Sequence, residues 1–242
     1  METSIAATRL QVLGLTLAVA ASLSCGTAPS SPDATRVTPK PAFPNVAGGY
    51  TVTGTKPDSG ESFNGTLIVS AQDEVFEFSR QSEGDTREGP AARVDNTVAA
   101  AYSTDSFAEP CGAFIYQIRP NGELDGKTAF YGRDKADYTR AVRTVGVDLE
   151  GSYEVSGISS DGKDLSSRLD VSREGEGYLF KWNSRKQTIG FGIKLGEMVV
   201  GASGGKHCIF AGYEIKPDGT LEGKWGSRDS RVLGTETAEK KN

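Results

Sequence analysis

The sequence predicts an all-β protein with two tandem copies of a small antiparallel β-barrel or sandwich, each built from about eight strands. Three observations predict this fold class: an internal duplication, short apolar runs that alternate with period two, and glycine-rich turn signals between the runs. The 30 glycines and the near absence of helical periodicity favour many short strands joined by tight turns. An N-terminal segment of different composition precedes the duplicated part.

The first segment, residues 1–24, is predicted to be a signal peptide. An uncharged, mostly apolar run of 13 residues, QVLGLTLAVAASL, extends from Gln11 to Leu23 and follows the positive charge of Arg9. A bilayer crossing takes roughly 20 residues, so this run is typical of the apolar region of an export signal. We therefore expect the protein to be exported to the cell envelope.

Cys25 follows the apolar run at the point where cleavage is expected. This arrangement resembles the lipobox of bacterial lipoproteins, which implies that Cys25 carries a diacylglycerol with chains such as palmitate and anchors the protein to a membrane. Gly26 at the next position implies the outer membrane if the source is Gram-negative. The usual lipobox has leucine where this chain has Ser22. An ordinary signal cleaved after Ala20, with Cys25 incidental, is the alternative.

The segment from Cys25 to residue 45 has the composition of a tether. It contains five of the ten prolines of the chain, separated by serine, threonine and alanine. Such a segment buries too little apolar surface to repay its conformational entropy, and its prolines favour an extended chain of about 3.1 Å per residue. We expect a disordered spacer between the anchor and the folded part.

The remaining chain contains the duplication, with repeat 1 at residues 46–146 and repeat 2 at residues 147–242. CGAFIYQIRPNGELDGK begins at Cys111, and CIFAGYEIKPDGTLEGK begins at Cys208, 97 residues later. The two stretches align without gaps, and shorter matches precede them in the same order. Each repeat has room for eight strands but not for long crossovers, which favours an up-and-down barrel with its own core over a sandwich.

The residue types at two turns of the repeats predict the turn geometry. Pro120-Asn121-Gly122 and Pro217-Asp218-Gly219 place proline where φ is preset and glycine where a positive φ follows.

The repeated pattern is G-x-Y-x-V-x-G, then Y-x-F-x-W, then cysteine, then Y-x-I-x-P-D-G-x-L-x-G-x-W, and it is best preserved in repeat 2. It resembles an uncharacterised repeat domain of exported bacterial proteins. The resemblance implies export and a β fold, and it implies no chemistry. Repeat 1 matches less well, since Arg80 stands where repeat 2 has Trp182 and no tryptophan follows Gly126.

Cys111 and Cys208 occupy equivalent positions in the two repeats of a protein that is predicted to be exported. An oxidising compartment and a pseudo-two-fold arrangement of the repeats favour a disulfide between them. The alternative is two buried free thiols, one in each core.

The sequence offers little to support catalysis or metal binding. His207 is the only histidine, and it lies next to Cys208, so the two side chains of a strand would point apart. No cysteine or histidine spacing fits a metal site, so no metal and no cofactor are predicted. Carboxylates are common in the glycine-rich turns, where water reaches them: Asp161, Asp164, Glu174, Glu176, Asp218 and Glu222.

Aromatic side chains are the remaining candidates for ligand contact. Tyr213, Trp182 and Trp225 could line a pocket at a barrel mouth, although period two places most aromatics in a core. The net charge of −5 argues against nucleic acid. We therefore expect a membrane-anchored binding or interaction module for a protein or small-molecule ligand. The alternative is a cell-envelope hydrolase with carboxylates in the seam between the repeats.

Overall fold

A computed structural model of the chain describes residues 43–103, 110–204 and 207–241, in which all regular secondary structure is β. Repeat 1 supplies β1 Gly48–Thr55, β2 Ser62–Ala71, β3 Phe76–Ser82, β4 Asp85–Val94, β5 Thr97–Ser103, β6 Gly112–Ile118, β7 Leu124–Phe130 and β8 Asp137–Val147. Repeat 2 supplies β9 Glu150–Ile158, β10 Asp164–Glu174, β11 Gly177–Asn183, β12 Gln187–Leu195, β13 Met198–Gly204, β14 Cys208–Ile215, β15 Leu221–Ser227 and β16 Gly234–Lys240.

The strands form two closed antiparallel barrels of eight strands each, which confirms the predicted fold class and decides for barrels over sandwiches. One barrel, here called the inserted barrel, contains the eight consecutive strands β6 to β13. The other, the split barrel, combines β1 to β5 with β14 to β16. The inserted barrel therefore lies in sequence between the two parts of the split barrel. The described residues contain no helix that could cross a membrane.

The barrels do not follow the repeats, and the expectation that each repeat encloses its own core is wrong. Each barrel takes five strands from one repeat and three from the other. The exchange occurs where β5 pairs with β14, with Ala100 opposite Ala211, and where β13 pairs with β6, with Gly201 opposite Phe114. Both junctions are regular antiparallel ladders, so the local strand pattern is satisfied by either partner.

Side-chain size favours the exchanged pairing. A Cβ atom at Gly201 would lie 2.4 Å from Cζ of Phe114, so the strand opposite this ring needs a glycine. β5 has Ala100 at the equivalent position, and pairing of β5 with β6 of its own repeat would set this methyl group against Phe114. In the exchanged arrangement Ala100 faces the small Ala211 instead.

Alternation along the strands fills each barrel with side chains, as expected for eight strands. Tyr50 and Tyr153 occupy equivalent positions, are fully buried, and donate their hydroxyl protons to the carbonyl oxygens of Val46 and Leu149 at 2.6 and 2.8 Å. The two predicted proline turns are also present. Gly122 and Gly219 have φ values of 80° and 86°, as the turn geometry requires.

The outer faces of the two barrels meet in an apolar seam. Small side chains dominate it, which lets the two sheets approach closely, and Gly212 shows how closely, since a Cβ there would lie 2.3 Å from Cγ2 of Val200. The seam consists of Val75, Ala92, Ala99, Ala101, Cys111, Ala113, Ile115, Ala129, Ala136, Phe191, Ile193, Met198, Val200, Ala202, Cys208, Phe210 and Leu233.

The predicted disulfide between Cys111 and Cys208 is present, with a Cα–Cα distance of 5.7 Å. The chain leaves the split barrel before Cys111 and returns to it at Cys208. The disulfide therefore joins the two crossover points, and the loop that it closes contains the whole inserted barrel.

Candidate ligand site

The predicted aromatic residues divide between the two barrels. Tyr213 and Trp225 both lie in the split barrel, on β14 and β15, while Trp182 lies on β11 of the inserted barrel. The structure thus brings two of the three together and places the third elsewhere. The proposed lipid attachment site, Cys25, lies outside the described residues.

A buried ion pair lies beside Tyr213 and Trp225 in the split barrel. Nη2 of Arg80 is 2.7 Å from Oε2 of Glu236, and the two side chains are only 7% and 1% exposed. The hydroxyl of Tyr213 donates to the other carboxylate oxygen of Glu236 at 2.5 Å. Arg80 comes from β3 of repeat 1 and its partners from repeat 2, so the cluster exists only because the strands are exchanged.

Two aromatic rings flank the guanidinium of Arg80. Its central carbon lies 4.6 Å from the centroid of Phe63 and 4.5 Å from that of Trp225. The rings meet edge to face at 5.7 Å, and the indole N–H of Trp225 donates to the carbonyl oxygen of Thr55 at 3.1 Å. Stacking and cation–π attraction therefore hold the guanidinium in place.

A cavity of about 290 Å³ opens above this cluster at the mouth of the split barrel. Charged side chains on its rim are paired: Lys56 lies 2.7 Å from Glu83, and Nε of Arg87 lies 2.6 Å from Asp85. The lining consists of Lys56, Phe63, Arg80, Ser82, Glu83, Asp85, Arg87 and Trp225. The mouth thus combines a neutralised rim with aromatic walls and a cationic side chain at its base.

Several polar atoms beneath the cavity lack hydrogen-bond partners. Nε of Arg80 is buried and makes no hydrogen bond, and the hydroxyl of Tyr102 makes none of good geometry although it lies near Tyr213. Burial raises the pKa of the Glu236 carboxyl above its usual value, in opposition to the nearby Arg80 guanidinium. Burial also raises the pKa of Tyr102 and of Tyr213, so both phenols stay protonated.

The equivalent position in the inserted barrel is apolar. Trp182 replaces Arg80 and lies 5.3 Å from Phe114 in an edge-to-face contact and 5.7 Å from Phe180 in a stacked one. Thr139 replaces Glu236, and its hydroxyl is 3.1 Å from that of Tyr116. One duplicated framework therefore encloses an ion pair in one barrel and an aromatic cluster in the other.

Phe63, Arg80 and Glu236 were not predicted from the sequence to be site residues. The departure of Arg80 from the repeat pattern was a usable signal, because a charged residue at an inward-facing strand position needs a buried partner. Glu236, in the TETA stretch of residues 235–238, is also at an inward-facing strand position. Only the exchange of strands shows that Glu236 is the partner of Arg80. A search within one repeat could not pair them.

The turn carboxylates considered for hydrolysis do not form a site. Asp161, Asp164, Glu176, Asp218 and Glu222 are exposed, and Glu174 is half-buried. Among the described carboxylates, Glu236 is the buried one. The described residues also contain no group of three or more side chains suited to bind a metal ion.

His207 is exposed, next to the disulfide. No known family model matches the chain, and it is matched by neither a curated protein nor a solved structure.

Proposed function

We propose that this protein is an exported lipoprotein that binds a small molecule in the cavity of the split barrel. The observation that carries the proposal is the ion pair of Arg80 and Glu236, which lies under an open cavity in one barrel and is absent from the equivalent place in the other. A ligand site of this kind is concave and largely preformed, with a few fixed polar groups among aromatic walls.

Stability alone does not account for the ion pair. Burial of two charges carries a desolvation penalty that their attraction often fails to repay, and apolar residues of similar size commonly serve a core as well or better. The inserted barrel has apolar packing at the equivalent position, where Trp182 contacts Phe114 and Phe180. The presence of Arg80 at the base of the cavity supports a role in recognition.

The anchoring part of the proposal rests on the sequence of residues 1–45. An apolar export signal, Cys25 at its end and a proline-rich spacer together favour attachment to a membrane through lipid, with the barrels held away from the surface. The binding site would then face the compartment into which the protein is exported, where it could capture a small molecule.

Hydrolysis in the seam between the repeats is the weaker candidate. The seam has an apolar core that is rich in alanine, valine, isoleucine and phenylalanine, and the Glu74 carboxylate at its edge accepts hydrogen bonds from Tyr138 and from the Ala136 amide. The one buried carboxylate, that of Glu236, is held by both Arg80 and Tyr213 inside the split barrel. This arrangement suits binding better than it suits a general acid or base.

Native mass spectrometry of the full-length protein, extracted gently from membranes, tests the binding function. We expect a co-purifying small molecule that is lost from the double variant R80M/E236Q, which removes both charges and keeps an acceptor for Tyr213. The matched control is W182F, which changes the equivalent position of the inserted barrel and should retain the molecule. Absence of any bound molecule from the wild type, together with no binding of the probes described below, would refute the proposed function.

A further inference from the structure

The charge of the cavity lining points to the class of ligand. Three cations and two carboxylates line the cavity, and the carboxylates of Glu83 and Asp85 are already paired with Lys56 and Arg87. The rim pairs cancel, and the remaining cation of the lining, Arg80, is paired with Glu236 from beneath the cavity. Arg80 is therefore the one charged residue of the lining whose partner does not itself line the cavity, so it presents a guanidinium to a ligand.

The hydrogen-bonding capacity of Arg80 also favours an anionic ligand. A guanidinium has five N–H donors, and Glu236 contacts it through Nη2 while Nε remains without a partner. Nε is closed off from solvent, so a ligand oxygen would bind a terminal nitrogen of the guanidinium, which lines the cavity. Glu236 and the two flanking rings hold the guanidinium in place before any ligand arrives, so little ordering is required on binding.

The walls and the volume of the cavity limit the size and polarity of the uncharged part of the ligand. Phe63 and Trp225 contribute aromatic surface beside Arg80, and the cavity has a volume of about 290 Å³. A compact apolar ring or short chain fits this space.

From these contacts we infer that the ligand is a small organic oxyanion, a carboxylate or a phosphate ester, whose charged group binds Arg80 and whose apolar part packs on Phe63 and Trp225. This inference rests on the proposed binding function. It assigns the site to both repeats, because Phe63 and Arg80 come from repeat 1 and Trp225 from repeat 2.

Two pairs of probes of similar shape test the charge preference, namely benzoate with benzamide and phenyl phosphate with phenol, and benzamidine is the cationic counterpart of both pairs. Isothermal titration calorimetry on the full-length protein gives each affinity, and Trp225 fluorescence in the W182F background reports whether the probe enters this cavity. The carboxylate and phosphate arms distinguish the two sources of an oxyanion.

We expect benzoate or phenyl phosphate to bind about 10- to 100-fold more tightly than its neutral counterpart, as loss of a charge-assisted hydrogen bond implies, and to lose that advantage in R80M/E236Q. Retained folding of the double variant is checked by its circular dichroism spectrum. If neither anion binds more tightly than the neutral probes, or if benzamidine binds best, the inference is overturned. In the latter case the cavity still binds small molecules, so the proposed function survives; it fails only when no probe binds and no molecule co-purifies.

Discussion

Arg80 and Glu236 form a buried ion pair between the two repeats, with 2.7 Å between Nη2 and Oε2. Each residue is the charge partner that the other requires in a barrel interior. The pair therefore couples the stability of the split barrel to both repeats.

Removal of one member of the pair should destabilise the protein far more than removal of both. We expect R80M alone and E236Q alone each to lower the free energy of unfolding by about 3–5 kcal/mol, because an uncompensated charge or unmet donor is left buried. R80M/E236Q should lie close to the wild type. Urea denaturation of all four proteins measures the coupling, and strictly additive losses would contradict it.

Stability should depend on pH through Glu236. Burial raises the pKa of this carboxyl above the usual 4.5, so the folded state binds a proton more tightly than the unfolded state does. The contribution of Glu236 to the free energy of unfolding is most favourable below pH 4.5. It is lost as the pH rises through the raised pKa of the folded state. The unfolding free energy of the wild type, minus that of R80M/E236Q, should therefore fall over this window. A difference that is constant or that rises with pH would contradict the assignment.

Loss of the disulfide should destabilise the fold without changing it. The bond joins residues 97 apart, and the chain-entropy account gives up to ~4.7 kcal/mol for a loop of about this length. We expect C111S/C208S to keep its circular dichroism spectrum and to unfold at lower denaturant concentration. Reductant should shift the wild type in the same direction and leave the double variant unchanged. Equal midpoints for all samples would refute a contribution from Cys111–Cys208.

Fragments should fold according to the barrels and not according to the repeats. Residues 110–208 contain all eight strands of the inserted barrel, so we expect a β-type circular dichroism spectrum and a monomer with a cooperative melting transition. Residues 147–242 contain five strands of one barrel and three of the other, so they can close a barrel only by exchange between two copies. Light scattering should detect either a dimer or an unfolded chain for this second fragment. A folded monomer of 147–242 would contradict the exchanged topology.

Anchoring should depend on Cys25. A fatty-acid probe fed to expressing cells should label the wild type and leave C25S unlabelled, and C25S should move from the membrane fraction to the soluble exported fraction. C111S serves as the matched cysteine control and should remain labelled. Equal labelling of wild type and C25S would show that the lipid is not attached at this residue.

Local features of the fold were predictable from the sequence, and the partners of the strands were not. The turns at Gly122 and Gly219 follow from residue identity, and the disulfide follows from equivalent cysteines in a chain that is predicted to be exported. Strand exchange leaves the period-two pattern of every strand unchanged, so alternation cannot distinguish the two pairings. The distinction depends on side-chain fit, such as the glycine opposite Phe114, which becomes visible only in three dimensions.

The same limit applies to the candidate site. Trp225 was predicted as a possible pocket residue and does line the cavity, whereas Tyr213 is fully buried and does not line it. Arg80 was noted only as a departure from the repeat pattern. Its role depends on Glu236 of the other repeat. β16, which carries Glu236, pairs with β1, β1 pairs with β2, and β2 pairs with β3, which carries Arg80.

The exchanged strands also bear on how such a protein can diverge. A single repeat, assembled as a symmetric pair by the same exchange, would be bound to carry two identical interiors, since every substitution would appear twice. Tandem fusion removes that constraint while it preserves the architecture. One interior can then enclose an ion pair while the other encloses an aromatic cluster, which is the contrast between Arg80 and Trp182.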